Sequence, residues 1–296
     1  MDQLLRGLDS DKAIRVVVAT TTDLVREAAR RHDLHGAAAV VLGRALTAGC
    51  LLATLTKGAD ERVRIGVRGS GPLGRLLVDA HGDGRVRGCY PSDRPSATRL
   101  PVGSERGTVG VFVGEGEITV TRDLGLENTY QGVVALRSGE IDEDLERYLS
   151  DSEQLPSVLR CHVEVDGEGT VVRAAGVLAQ TFPGSDPARL DGIREALAGD
   201  GLADVLRQDR DVEALVGFAL LGGEVHGAHT IGLSFSCPCG HERALSVVST
   251  LGADDIDALA DERGGTEVRC HFCGDVHPLS ERDLRELAAT LRAQVN

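Results

Sequence analysis

Arg62-Val63-Arg64-Ile65-Gly66-Val67-Arg68 alternates without a break. Val63, Ile65 and Val67 point one way, and the arginines point the other. The run therefore reads as a strand buried on one face only, the habit of antiparallel sheets. Val109, Val111 and Val113 repeat the period. Ile118 and Val120 follow a Gly114-Glu115-Gly116 turn, which predicts a hairpin. Leu159, Cys161, Val163 and Val165 form another alternating face, and Asp166-Gly167 supplies the turn before Thr170-Val171-Val172. Upstream, Ile14 to Ala19 is a β-branched run. Thr20-Thr21-Thr22-Asp23 then offers capping residues for a helix carrying Leu24, Val25 and Ala28. Ala37 to Leu55 is a second helix, apolar nearly all round and so buried on several sides. Strands outnumber helices and neighbour one another in sequence. The fold class is α+β, an antiparallel-sheet-rich N-terminal core with packed helices, not a βαβ array.

The chain has 296 residues, enough for two domains or one domain with an appendage. Its formal charge of −14 argues against a protein that grips phosphate backbones. Five Phe, three Tyr and no Trp leave little with which to stack single-stranded bases. Met1 to Arg6 contains no apolar run of signal length. Arg44 interrupts the longest apolar stretch, and Ala45 to Leu55 is too short to cross a bilayer. A cytoplasmic protein is expected, without membrane or nucleic-acid partners. Its cysteines are then expected to be reduced, metal-bound or redox-sensing.

Charge divides the chain. Of the −14, −10 falls after residue 184. A boundary is expected at Phe182-Pro183-Gly184-Ser185-Asp186-Pro187. The predicted units are an α+β core over 1–184, a short all-helical linker over 185–232 and a small zinc-binding domain over 233–296. In the middle unit, Ile193 and Leu197, then Leu202, Val205 and Leu206, then Val212, Leu215, Val216 and Leu220 recur at helical spacing. Glycines 199, 201, 222 and 223 separate these pieces, and Asp209-Arg210-Asp211 adds charge between them. Helices this short are marginal alone and must lean on something else.

The chemistry lies in the tail. Cys237-Pro238-Cys239 and Cys270-His271-Phe272-Cys273 are two close thiol pairs about thirty residues apart. Each pair reaches one ion, and the intervening segment folds back to complete a tetrahedron. Four thiolates make the soft set that zinc prefers, which leaves His241, His271 and His277 as bystanders. Cys50, Cys89 and Cys161 read as core residues. Gly69 to Gly74 lacks the Lys-Ser/Thr of a phosphate loop and reads as a turn. Ser152 lacks a nucleophile elbow and reads as a helix end. The terminal unit is small and acidic, so it buries little apolar surface. Structural zinc supplies on the order of 10–16 kcal/mol in small domains. The metal is expected to hold this unit together, and its loss to withdraw support from the neighbouring helices.

These residues resemble the redox-regulated heat-shock protein 33 family, the 33 kDa chaperonins. In the tail the resemblance rests on Cys237-x-Cys239, Glu242-Arg243, Leu251-Gly252 and Cys270-x-Phe272-Cys273-Gly274. In the first unit it rests on Leu42-Gly43-Arg44 with Lys57-Gly58, Gly69 to Gly74 and Val86-Arg87-Gly88. Tyr130-Gln131-Gly132, Leu136 to Ile141, Tyr148, Ser152-Glu153-Gln154 and Ala174-Ala175-Gly176 follow in family order. The chain departs from the pattern at Val177, at Gly240-His241 and at Val276-His277-Pro278-Leu279.

The resemblance implies an ATP-independent holdase rather than an enzyme, folded and inactive while reduced and zinc-bound. It implies that oxidation forms Cys237–Cys239 and Cys270–Cys273 disulfides, releases one zinc per chain and unfolds the linker. The oxidised form is then a dimer that binds unfolding client proteins and hands them to other chaperones. The stripe Ile193, Leu197, Leu202, Val205, Leu206, Val212, Leu215, Val216 and Leu220 is the expected client surface. Two other readings stand beside it. One is a constitutive zinc-ribbon interaction module. The other is a thiol-disulfide oxidoreductase built on Cys270 and Cys273, for which the preceding Asp- and Gly-rich segment lacks a thioredoxin-like setting.

Overall fold

In the computed structural model all residues are described except 57, 59, 60, 91–107, 124, 126–128, 209, 210 and 296. Lys57 of the Lys57-Gly58 match, and Asp209 and Arg210 of the charged run, lie outside the described residues. The chain divides into two compact units, Met1–Ser236 and Cys237–Asn296.

The first unit runs β1 (Gln3–Leu8), β2 (Ile14–Thr20), α1 (Thr22–His32), α2 (Ala37–Ala53), β3 (Arg62–Gly69), β4 (Arg75–His81), β5 (Arg85–Cys89), α3 (Gly110–Val113), β6 (Gly116–Asp123), β7 (Tyr130–Ala135), α4 (Asp142–Asp151), β8 (Ser157–Val165), β9 (Val171–Thr181), α5 (Asp191–Ala196), α6 (Gly201–Gln208), α7 (Val212–Ala219), β10 (His226–Gly232) and β11 (Ser234–Phe235). Two sheets result, in the orders β10-β1-β2-β9-β8 and β11-β5-β4-β3-β6-β7. All pairings are antiparallel except the two-residue β11–β5 bridge. The fold is α+β, as the alternating runs predict.

Helix α2 packs against strands of both sheets. That placement explains why every one of its residues is buried and why its sequence shows no polar face. It also buries Arg44 completely. The guanidinium pairs with Glu140, itself buried, whose other oxygen accepts the N–H groups of Val109 and Gly110 at 3.1 and 2.9 Å.

The far face of the five-stranded sheet has its own cover. Leu5, Ile14, Val16, Val18, Val158, Ala175, Val177 and Ala179 share one buried cluster with Leu190, Ile193, Leu197, Leu202, Leu206, Val212, Leu215, Val216 and Ala219. Strand β2 is therefore buried on both sides, with Val17 and Ala19 in the α2 core and Val16 and Val18 under α5–α7. Its Val16-Val17-Val18 run, β-branched at successive positions, is the signature of such a strand. The middle helices find their lateral support on this sheet.

Three local expectations fail. The segment 185–232 is not all-helical, because β10 occupies His226–Gly232 and pairs with β1 through its main chain. Val109, Val111 and Val113 are not a strand, because α3 occupies Gly110–Val113. Val109 and Val113 are buried, while Val111 is 74% exposed, so the operative spacing is i, i+4 rather than i, i+2. The Glu140 carboxylate holds the start of that turn. Consequently β6 pairs with β3 and β7, not with a Val109–Val113 strand. The threonines before α1 also make no side-chain cap. Thr21 bonds Thr47 instead, and Asp2 Oδ2 accepts the Leu24 N–H at 2.6 Å.

The second unit contains α8 (His241–Val248), α9 (Ala253–Arg263), β12 (Gly265–Arg269), β13 (Val276–Ser280) and α10 (Glu281–Val295). β12 and β13 form an antiparallel hairpin. Its buried apolar cluster is small: Ala244, Val248, Ile256, Ala260, Leu279, Leu284 and Ala288.

Candidate metal centre and the covered apolar face

Two chain segments deliver the four thiols. Cys237 and Cys239 lie between β11 and α8, and Cys270 and Cys273 lie in the turn of the β12–β13 hairpin. That turn is closed by main-chain bonds: Cys270 N–H donates to Asp275 O and Gly274 N–H to Cys270 O, both at 2.8 Å. Gly274 sits at φ 76°, a left-handed conformation that disfavours a side chain. The C-x-x-C-G order thus bends the chain back beneath its own sulfurs.

The four Sγ atoms lie within 4.8 Å of one another and form a cluster that could hold a metal ion. Cys237 approaches Cys270 at 3.6 Å, and Cys239 approaches Cys273 at 3.2 Å. Cys273 is buried and the other three are half-buried. Burial pushes the Cys239 thiol up to about 11, with Cys237 and Cys270 adding to the effect. Burial raises Cys273 too, most of all among its influences. Burial also opposes ionisation of Cys270, but the N–H groups of Cys273 and Phe272, together with the Cys273 and Cys237 thiols, hold it below its ordinary value. Cys239 and Cys273 thus resist ionising in the absence of a cation.

No His, Asp or Glu joins this cluster among the described residues. His241 lies 3.4 Å from Asp283, away from ligand duty. The Cys270–Cys273 pair sits on a hairpin turn, not at a helix N-terminus following a strand. Cys50, Cys89 and Cys161 are buried in the first unit, as expected of core residues. Ser152 ends α4, as predicted.

The apolar stripe of the middle segment is covered. Ile193, Leu197, Leu202, Leu206, Val212, Leu215 and Val216 are all buried against the sheet, with Val205 and Leu220 partly so. Arg194 reaches Ser157 O at 3.5 Å and Glu146 at 3.9 Å, and Arg207 reaches Glu164 at 4.0 Å. These arginines are exposed enough that their ion pairs add little. Apolar burial is what keeps the helices down. The matching half of this interface, on β1, β2 and β9, went unrecognised in the sequence. The two-sided β-branched run Ile14–Ala19 was its available signal.

No helix among the described residues is long and apolar enough to cross a membrane. A protein-family model described as "Hsp33 protein" matches residues 2–280. The "33 kDa chaperonin" of Bacillus cereus (strain AH187) is 35% identical over 295 residues, covering 98% of this chain and 99% of its own. The same figures hold for the "33 kDa chaperonin" of Bacillus anthracis (strain A0248). Among solved structures, the 33 kDa chaperonin (heat shock protein 33 homolog) of Thermotoga maritima superposes with a TM-score of 0.84 at 27% identity, covering 97% of this chain and 98% of that one.

Proposed function

Because the chain belongs to the Hsp33 family, we propose that it is an ATP-independent holdase switched on by oxidation of Cys237, Cys239, Cys270 and Cys273. The observation carrying this reading is the convergence of those four sulfurs within 4.8 Å in a unit with so small an apolar core. The donor set fits zinc. A tetrahedron of Zn–S bonds of about 2.3 Å has edges of about 3.8 Å, against Cys237–Cys270 and Cys239–Cys273 approaches of 3.6 and 3.2 Å. A bound Zn²⁺ would supply the positive charge that lets four thiolates share one small volume.

Oxidation converts the four thiols to two disulfides, Cys237–Cys239 and Cys270–Cys273. Each bridge forms one S–S bond and passes two electrons to hydrogen peroxide, which takes up two protons from solvent and leaves as two waters. Disulfide sulfurs no longer serve as thiolate ligands, and bridges closing such short loops restrain the chain far less than the clasp they replace. The unit loses its fold, and the segment 185–232 loosens from the sheet. The apolar stripe Ile193, Leu197, Leu202, Val205, Leu206, Val212, Leu215, Val216 and Leu220 then binds unfolding clients, along with the face it covered. The active form is a dimer, acts in the cytoplasm and releases clients to other chaperones.

The test compares aggregation of a heat-unfolding client with reduced, zinc-loaded protein and with peroxide-treated protein. Suppression only after oxidation, with one zinc released per four thiols lost, is expected. Equal suppression in both states would favour a constitutive interaction module, and no suppression in either would end the holdase reading. Peptide mapping distinguishes the proposed bridges from Cys237–Cys270 and Cys239–Cys273, whose sulfurs approach at 3.6 and 3.2 Å.

A further inference from the structure

An unprotected sheet edge is a template for any extended chain, and folded proteins close such edges. The four strands β1-β2-β9-β8 have their two edges covered differently. At β8, the N–H groups of Leu159 and Cys161 donate to Glu146 Oε2 at 2.9 Å and Asp142 Oδ2 at 3.0 Å. Carboxylates of α4 thus occupy that edge. At β1 the closure is a strand, β10.

Strand β10 is a weakly held cover. Its side chains are exposed, with Ile231 alone half-buried. His226-Gly227-Ala228-His229-Thr230-Ile231-Gly232 contains two glycines and little strand propensity. Its register with β1 slips between Arg6 and Leu8. Main-chain pairing seats most of it, with Ile231 packed against the α2 core and Leu233, just past the strand, buried there. Beyond it, β11 adds a two-residue bridge to β5 and Ser236 N–H donates to Val86 O, and the next residue is Cys237.

The same strand β1 serves the apolar face. Leu5 belongs to the cluster beneath α5–α7. Gln3 N–H donates to Thr20 Oγ1 of β2, while Asp2 O accepts from Leu233 N–H just past β10. Main-chain groups alternate along a strand, so those of Leu4 and Arg6 face β10. Once the four-thiol fold is lost, the strap keeps only Leu233, Phe235 and the β11–β5 bridge as anchors at its C-terminal end, and lifting of α7 frees the other. The sheet then presents an apolar face and an open edge on one strand.

We propose that clients dock on β1 by strand addition: an extended segment of unfolding polypeptide pairs with Leu4 and Arg6 in the place β10 vacates. This rests on the holdase reading and names its recognition mode. Unfolding proteins have exposed peptide groups and apolar side chains in common, and little else. Main-chain pairing beside an apolar face takes both without reading sequence. Strand β10, with its exposed side chains, already shows that an extended segment of weak character seats there.

Amide hydrogen exchange on the full chain tests this. In the reduced protein, Leu4 and Arg6 amides should be protected. After oxidation they should exchange at least about tenfold faster, while β2–β9 amides stay slow, and a bound client should restore their protection. A client complex in which both amides stay fast overturns the proposal, as does oxidation that never exposes them. A peptide spanning residues 225–236 should compete with client for the oxidised protein. The same peptide N-methylated at His229 and Ile231, the register partners of Arg6 and Leu4, should not, and equal competition by both would also overturn strand addition. Aggregation suppressed with Leu4 and Arg6 unprotected would sink this proposal alone. Oxidised protein that suppresses no aggregation would sink the holdase reading beneath it.

Discussion

Leu215→Ala should open the helical cover without touching a thiol. Leu215 is fully buried in α7, in one cluster with Leu5, Val16 and Val18 of the sheet. Alanine is at least as good a helix former as leucine, and Asp211 Oδ1 still accepts the Ala214 N–H at 2.7 Å, so α7 itself is not weakened. The loss falls on packing against the sheet. Buried Leu→Ala changes cost about 2–5 kcal/mol. A cost of about 3 kcal/mol raises the open-to-closed ratio roughly a hundredfold. The assay uses reduced, metal-loaded protein. Limited proteolysis within residues 187–219 reports opening, and light scattering from a heat-unfolding client reports capture. Cleavage should quicken by about two orders of magnitude, and aggregation should slow with all four thiols still reduced. Val111→Ala, at a 74% exposed position, should do neither. Faster cleavage with no effect on aggregation would refute the argument that the face beneath α5–α7 is client surface.

Three further outcomes follow from the same geometry. Arg44→Met should cost about 3–5 kcal/mol in thermal or denaturant unfolding, because it strands the buried Glu140 carboxylate, whereas Arg44→Met with Glu140→Leu should recover part of the loss. His162 shares a strand face with Val158. Burial, and then Arg44 and Arg207 against Glu164 and Asp200, hold it down to about 4. Opening the cover returns it towards about 6.5. Between those values the open state binds more protons, so the closed state loses stability as pH falls, by about 2 kcal/mol at pH 5 relative to pH 7.5. Proteolysis within 187–219 should therefore accelerate roughly thirtyfold at pH 5, and His162→Gln should flatten that dependence. Finally, a chelator added to the reduced protein should cost helical circular dichroism, with exchange protection lost across residues 241–295. Retained protection there would contradict a metal-dependent fold.

Sequence alone located the four sulfurs, because a metal clasp imposes local spacings that survive without knowledge of the fold. It also marked α2 as buried all round, since sandwiching between two sheets leaves no face to be polar. Reading failed where short patterns are degenerate. Over Val109–Val113, periods of two and four coincide, and the Glu140 carboxylate decides between them from thirty residues away. It failed again at α1, where Asp2 supplies the N-terminal partner that three threonines were expected to provide. The middle helices were legible as amphipathic and marginal, yet what they rest on was not. An amphipathic stripe states that a surface must be covered and says nothing of what covers it. Strand β10 carries almost no pattern, because main-chain pairing needs none. Local chemistry and periodicity wrote the clasp and the need for a cover into the sequence. Only tertiary structure assigned the cover to β1, β2 and β9, because burial is a contact between segments far apart in the chain.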